Sequence, residues 1–142
     1  MREILFRGKR KDNGNWIEGS LLNFRENTYI IPHDSEYCYD DTEKLAFDIE
    51  YFEVISETVG QYTGLKDVNG NKIFEDDMVE YQDGIARYFV VWDEKVARFV
   101  VAVYDEGLIV CDFLFYTPEK FKIISNIHDN PELLKGEICT KS

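Results

Sequence analysis

Three neighbouring carboxylates, Glu75, Asp76 and Asp77, are the residues in this chain whose types most readily suggest chemistry. Hard divalent cations take oxygen ligands, so such a triplet is a candidate metal site. Just upstream, Asp67, Asn69 and Asn71 stand at alternate positions, as the first ligands of a calcium loop do. A full loop of that kind needs a glycine after the third ligand and a bidentate glutamate at its twelfth position. Lys72 and Met78 stand there instead, so "DVNGN" reads as a β-turn. A solvated acidic turn is likewise the plainer reading of the triplet.

Other chemistries have thinner support. His33 and His128 are the only histidines. His33 lies beside Asp34 and Ser35, but neighbours in sequence rarely face one another as a catalytic triad must. His128 falls between a strand and a terminal helical stretch, an ordinary place for a capping or surface residue. Nothing in the spacing supports a Cys38–His pair. Gly60, Gly64 and Gly70 sit too far apart for a dinucleotide fingerprint, and no Lys-Ser/Thr follows a glycine as in a phosphate loop. No cofactor is expected.

The bulk composition narrows the classes further. Asp and Glu number 28 against 16 Lys and Arg, a net charge of -12 that repels a phosphate backbone and favours a basic partner. Tyr88, Phe89, Trp92, Phe99 and Tyr104 could stack bases from a sheet, yet only Arg87, Lys95 and Arg98 accompany them. Core packing is the better reading of those aromatics. A hydrophobic fraction of 44% over 142 residues is enough for a packed interior in one domain. The three cysteines, Cys38, Cys111 and Cys139, form no metal or redox spacing and read as free thiols of a reducing compartment. No apolar run reaches bilayer length and the N-terminus lacks a signal-peptide core, so a cytoplasmic protein without a membrane partner is expected.

The elements that would carry these residues are short strands punctuated by Gly and Asn. Asn13-Gly14 supplies a hairpin turn, because both residues tolerate positive φ. "NWIEGSLL" alternates Trp16, Glu18, Ser20 and Leu22 against Ile17, Gly19 and Leu21. "NTYIIP" should stop near Pro32, which lacks a ladder donor. "IEYFEVI", Met78–Tyr81, "IARYFVVW", "VARFVVAVY", "LIVCDFLF" and "EKFKIISNI" are further strands; "IARYFVVW" and "VARFVVAVY" are apolar on both faces, which implies burial on both sides or an interface on one. "DNPELLKGE" reads as a short helix, with Asn130 as N-cap, Pro131 first and Gly136 as its stop. The stretch from His33 to about Asp48 is irregular and acidic. It is expected to be a long loop in which Tyr37 and Tyr39 anchor a contact while Asp40, Asp41 and Glu43 steer a basic partner.

Three blocks of this sequence resemble the YopX family of small proteins encoded mainly by phages and prophages of Gram-positive bacteria. They are "FRGKRKDNGNWIEGSLL", "TVGQYTGLKDVNG" with the following "IFEDD", and "IISNIHDNPELL". Tyr62 stands where Phe is common in the family, Ser125 where glycine is usual, and Asp76 where glycine is expected. That last corner must therefore accept a side chain, which Asp tolerates better than most residues. The resemblance implies an all-β, mainly antiparallel fold with an SH3-like barrel portion and a phage origin. It implies no activity, because the family has no established biochemical function. Within it, Gly60, Gln61, Tyr62, Gly64, Asp67, Gly70, Asn130 and Pro131 are read as structural positions. Gly60 and Gly64 are expected to let the chain turn between two lobes, about 1–57 and 58–142, sharing a core in a single 1–142 domain.

The functional expectation is a non-enzymatic binding or regulatory protein acting on a phage or host protein, with self-association as a further partnership. The alternatives are a metal-dependent hydrolase or nuclease at an acidic cluster, and nucleic-acid binding through the sheet aromatics. The cysteine reading is directly testable. Non-reducing mass spectrometry of freshly purified protein should find all three thiols free, and a native disulfide would contradict a reducing compartment.

Overall fold

The computed structural model describes residues 2–33, 50–81, 84, 86–104, 108–111 and 118–134, and among them every regular element is a β-strand or a single turn of 3-10 helix. Tyr37, Tyr39, Asp40, Asp41, Glu43, Cys38 and Cys139 lie outside the described residues. The chain divides into two compact units, Met1–Gln61 and Tyr62–Ser142.

The first unit is an antiparallel sheet of β1 (Phe6–Lys9), β2 (Trp16–Phe24), β3 (Asn27–Pro32), β4 (Phe52–Val54) and the start of β5 (Gly60–Lys66), in the order β4-β3-β2-β1-β5. The expected turn at Asn13-Gly14 is present. Gly14 has φ 72° and its N–H donates to the Arg10 carbonyl, while the Asn13 side chain accepts the Asn15 N–H. Alternation along β2 also holds, and β3 ends at Pro32. Ile30 and Val54 are fully enclosed on the inner face. The outer edge of β4 is sealed by a bridge from Arg10 to Val54, flanked by Lys11 N–H donating to Glu53 and Ile55 N–H donating to Lys9. Two charge pairs dress this corner. Arg10 binds Asp12 and lowers its pKa, and Glu53 binds Lys11 and raises its pKa.

The second unit continues β5 into a hairpin with β6 (Lys72–Phe74). It then builds a sheet of β7 (Asp77–Tyr81), β8 (Ala86–Asp93), β9 (Arg98–Tyr104), β10 (Leu108–Cys111) and β11 (Phe121–Asn126), in the order β10-β9-β8-β7-β11. Both faces of this sheet are apolar and packed. Val79, Val90, Val101 and Phe121 cluster with Ile73 on one side, while Met78, Phe89 and Ala102 gather Val91, Ile124 and Ile127 on the other. Phe89 and Phe99 are both buried, as core packing of the strand aromatics requires.

Two expectations are corrected. No ladder joins edge strands β10 and β11 among the described residues, so the strands do not close an SH3-like barrel. The edge of β11 is occupied by a turn instead: Val68 N–H donates to the Phe121 carbonyl and Ile123 N–H donates to the Asp67 carboxylate. Among the described residues the C-terminal helix is one 3-10 turn, Pro131–Leu134, and its expected stop, Gly136, lies outside them. Leu133 N–H reaches back three residues to the Asn130 carbonyl, and the Asn130 side chain is taken by Ser125 and Glu132. Gly60 and Gly64 lie inside strand β5, which crosses the boundary between the two units at Gln61 and Tyr62. Gly64 (φ 89°) sits within the register shift of the β5–β6 ladder, which is how a bulge uses glycine.

Gly19 is the tightest point of the first unit. A Cβ there would stand 2.0 Å from the Ile31 carbonyl oxygen and 2.9 Å from Pro32 Cα, both backbone atoms of the paired strand. Gly19→Ala should therefore destabilise the protein by at least about 2 kcal/mol in urea unfolding, because the strand itself must move. An unchanged midpoint would show that β2 and β3 are not in this register.

Candidate functional site

The acidic stretch behaves as a set of backbone acceptors. Asp67 directly follows β5 and is buried. Its Oδ1 accepts the N–H groups of Asn69 (2.9 Å) and Asn71 (2.8 Å), and its Oδ2 accepts that of Ile123 (3.0 Å). One carboxylate thus shapes the turn around Gly70 (φ 83°) and fastens it to β11. Asp77 is 1% exposed, and its Oδ2 accepts the Phe74 N–H at 2.7 Å, closing the turn between β6 and β7.

Asp76 occupies that turn with φ 74°, so the corner does accept a side chain in the left-handed region. Its backbone N–H donates to the Val90 carbonyl, and its own carbonyl accepts the Ile127 N–H. Its Oδ2 lies 2.8 Å from His128 Nε2. Glu75 stands beside it, half-buried in the same turn. Among the described residues no three His, Cys, Asp or Glu side chains are grouped to hold a metal ion. The Asp77 carboxylate accepts a backbone N–H while the Asp76 carboxylate faces His128, so these two candidate ligands have separate partners.

Sequence reasoning missed Asn126. It is buried, its Oδ1 accepts the N–H groups of His128 and Asp129, and its Nδ2 donates to Asp129. An Asn followed by a short polar stretch at a strand end is the available signal for such a turn. Of the structural positions, Tyr62 is buried against Phe74 (ring centroids 5.7 Å apart), while Gly60 and Gln61 pair with Arg7 and Phe6. His33 meets Ser20: Oγ and Nε2 are 2.8 Å apart on exposed residues. Nucleophilic catalysis requires in addition an orienting group and oxyanion donors around such a pair.

The first unit presents a different kind of surface. The β1–β2 register sets Arg7 opposite Glu18 and Lys9 opposite Trp16, so all four share a face with Ser20, Leu22 and Phe24. Leu22 opposes Tyr29, and Tyr29 opposes Glu53. Cations crowd the indole: the Arg7 guanidinium lies 4.7 Å and the Lys9 ammonium 5.5 Å from the Trp16 ring centroid. At the other end Tyr29 and Tyr51 meet edge to face at 5.5 Å. Phe24 and Tyr51 are 57% and 61% exposed and Leu22 43%, so this face sets large apolar groups in solvent. It is the candidate interface.

The Asp67 assignment generates a test. Asp67→Ala removes an acceptor from three backbone N–H groups and should cost about 3–5 kcal/mol. Asp67→Asn keeps one carbonyl oxygen for the turn but sets an amide N–H against Ile123, so its loss should fall between wild type and alanine. Denaturant midpoints in any other order would mean that the carboxylate does not hold β11.

Comparison with known proteins agrees with this architecture. No curated protein matches the chain. The crystal structure of protein EF1440 from Enterococcus faecalis superposes with a TM-score of 0.57 at 21% identity, over 95% of this chain and 100% of that one, a likeness of fold. A family model described as YopX protein matches residues 5–135, nearly the whole length, and the chain belongs to the YopX family.

Proposed function

We propose that this is a non-enzymatic binding or regulatory protein, of phage origin and cytoplasmic in a bacterial host, that acts through its surface on a phage or host protein. The observation that carries the reading is the outer face of β2–β4, where Leu22, Phe24 and Tyr51 stand exposed around half-buried Tyr29. Rigid aromatic and apolar side chains on a sheet face are what protein partners dock against. The acidic residues point the same way by elimination, since Asp67 and Asp77 are engaged by backbone N–H groups. A net charge of -12 disfavours a nucleic-acid partner and suits a basic protein. In this reading Tyr37, Tyr39, Asp40, Asp41 and Glu43 form a second contact that steers the partner.

The test is affinity capture from infected cells with two variants beside wild type. Phe24→Ser/Tyr51→Ser should keep the wild-type unfolding midpoint and lose the captured partner. Asp40→Asn/Asp41→Asn/Glu43→Gln should weaken capture most at low salt, where steering is strongest. Capture of the same proteins in unchanged yield by both variants would overturn the proposal.

A further inference from the structure

Strand β2 runs for nine residues, but β1 covers only part of its edge. The β1–β2 register ends at Phe6 opposite Gly19. On the other side, the β2–β3 register continues to Phe24 opposite Asn27 without a shift. Among the described residues, the β1-side edge of Ser20–Phe24 therefore has no strand beside it. Such an edge offers a row of N–H and C=O groups to another strand, and proteins usually block it with charge, proline or a bulge. "SLLNF" carries none of the three. Two other strand ends in this chain are managed: Arg10 bridges β4, and Val68 and Asp67 occupy β11.

We propose that this edge is where two copies of the chain meet, β2 pairing antiparallel with β2 of the second copy about a two-fold axis at Leu22. An antiparallel strand paired with itself is isologous, so one uncovered segment supplies both halves of the interface. Centring on Leu22 uses the whole of Ser20–Phe24. Leu22 then opposes Leu22 of the second copy, and each Ser20 opposes the other Phe24. These residues lie on one face, so the exposed Leu22 and Phe24 side chains of both copies gather across the axis as cross-strand neighbours. The pairing also joins the two aromatic faces into one continuous surface, which goes beyond the partner reading above. Each copy carries -12, so repulsion opposes the dimer and salt should strengthen it.

The experiment uses the purified full chain alone, so its outcome is independent of partner capture. Light scattering and sedimentation across protein concentration should show twice the monomer mass, favoured by added salt. Leu22→Lys and Leu22→Glu each set like charges face to face on the axis, and each should be monomeric with an unchanged circular-dichroism spectrum. Mixing the two in equal amounts should restore the dimer, because Lys then opposes Glu. A wild type that stays monomeric at every concentration, single variants that remain dimeric, or a mixture that stays monomeric would each overturn the proposal.

Discussion

A carboxylate just after β5 joins a local turn to a strand residue, Ile123, fifty-six positions further on. Asp67 is buried, and the N–H groups of Asn69, Asn71 and Ile123 converge on it. Buried backbone donors must find acceptors, and a charged acceptor shared by three of them makes the turn and the sheet edge mutually dependent. Much of the second unit follows from that tie. The turn delivers β6 with Ile73 and Phe74 buried, and Val68 donates to Phe121, the aromatic that fills the core on that side. The edge of β11 is met by that turn, and among the described residues no ladder joins β11 to β10.

The same logic disposes of the acidic cluster. Asp77 accepts the Phe74 N–H, Asp76 holds the left-handed corner and faces His128, and Asn126 organises the turn that brings His128 there. A chain with a large excess of acid thus places its buried acids on its own backbone and carries the remainder as surface charge. One sheet face of the first unit is apolar and cationic: half-buried Trp16 with Arg7 and Lys9 at one end, and half-buried Tyr29 with exposed Tyr51 at the other.

Much of the fold was legible because its signals are local. The Asn13-Gly14 turn, the alternation along β2, the stop at Pro32 and the Asn69-Gly70 turn each depend on residues within a few positions of one another. The burial of Phe89 and Phe99 followed from strands apolar on both faces. The candidate site was less legible. Nothing near Asp67 names Ile123 as its partner, and nothing near Asp76 names His128. Gly60 and Gly64 read as turn positions, and only the paired strand shows that Gly64 sits in a register shift within β5. "NPELL" carried helix signals, yet four residues with the Asn130 side chain engaged elsewhere form a single 3-10 turn. The exposed face of β2–β4 was written in the alternation of Ser20, Leu22 and Phe24, but only register shows which tyrosines stand beside them.

The reach of Asp67 also sets an order of events during synthesis. Oδ1 is satisfied as soon as Asn69 and Asn71 have been added, so the hairpin turn can form on a nascent chain. Oδ2 must wait for Ile123, and the Val68 N–H for Phe121. A contact so distant in sequence carries a loop-closure penalty that local turns do not. Until the ribosome has delivered β11, the second unit lacks both its edge strand and the aromatic at its core. The second unit is therefore completed later than its local turn, once the Ile123 donor is in reach of Asp67.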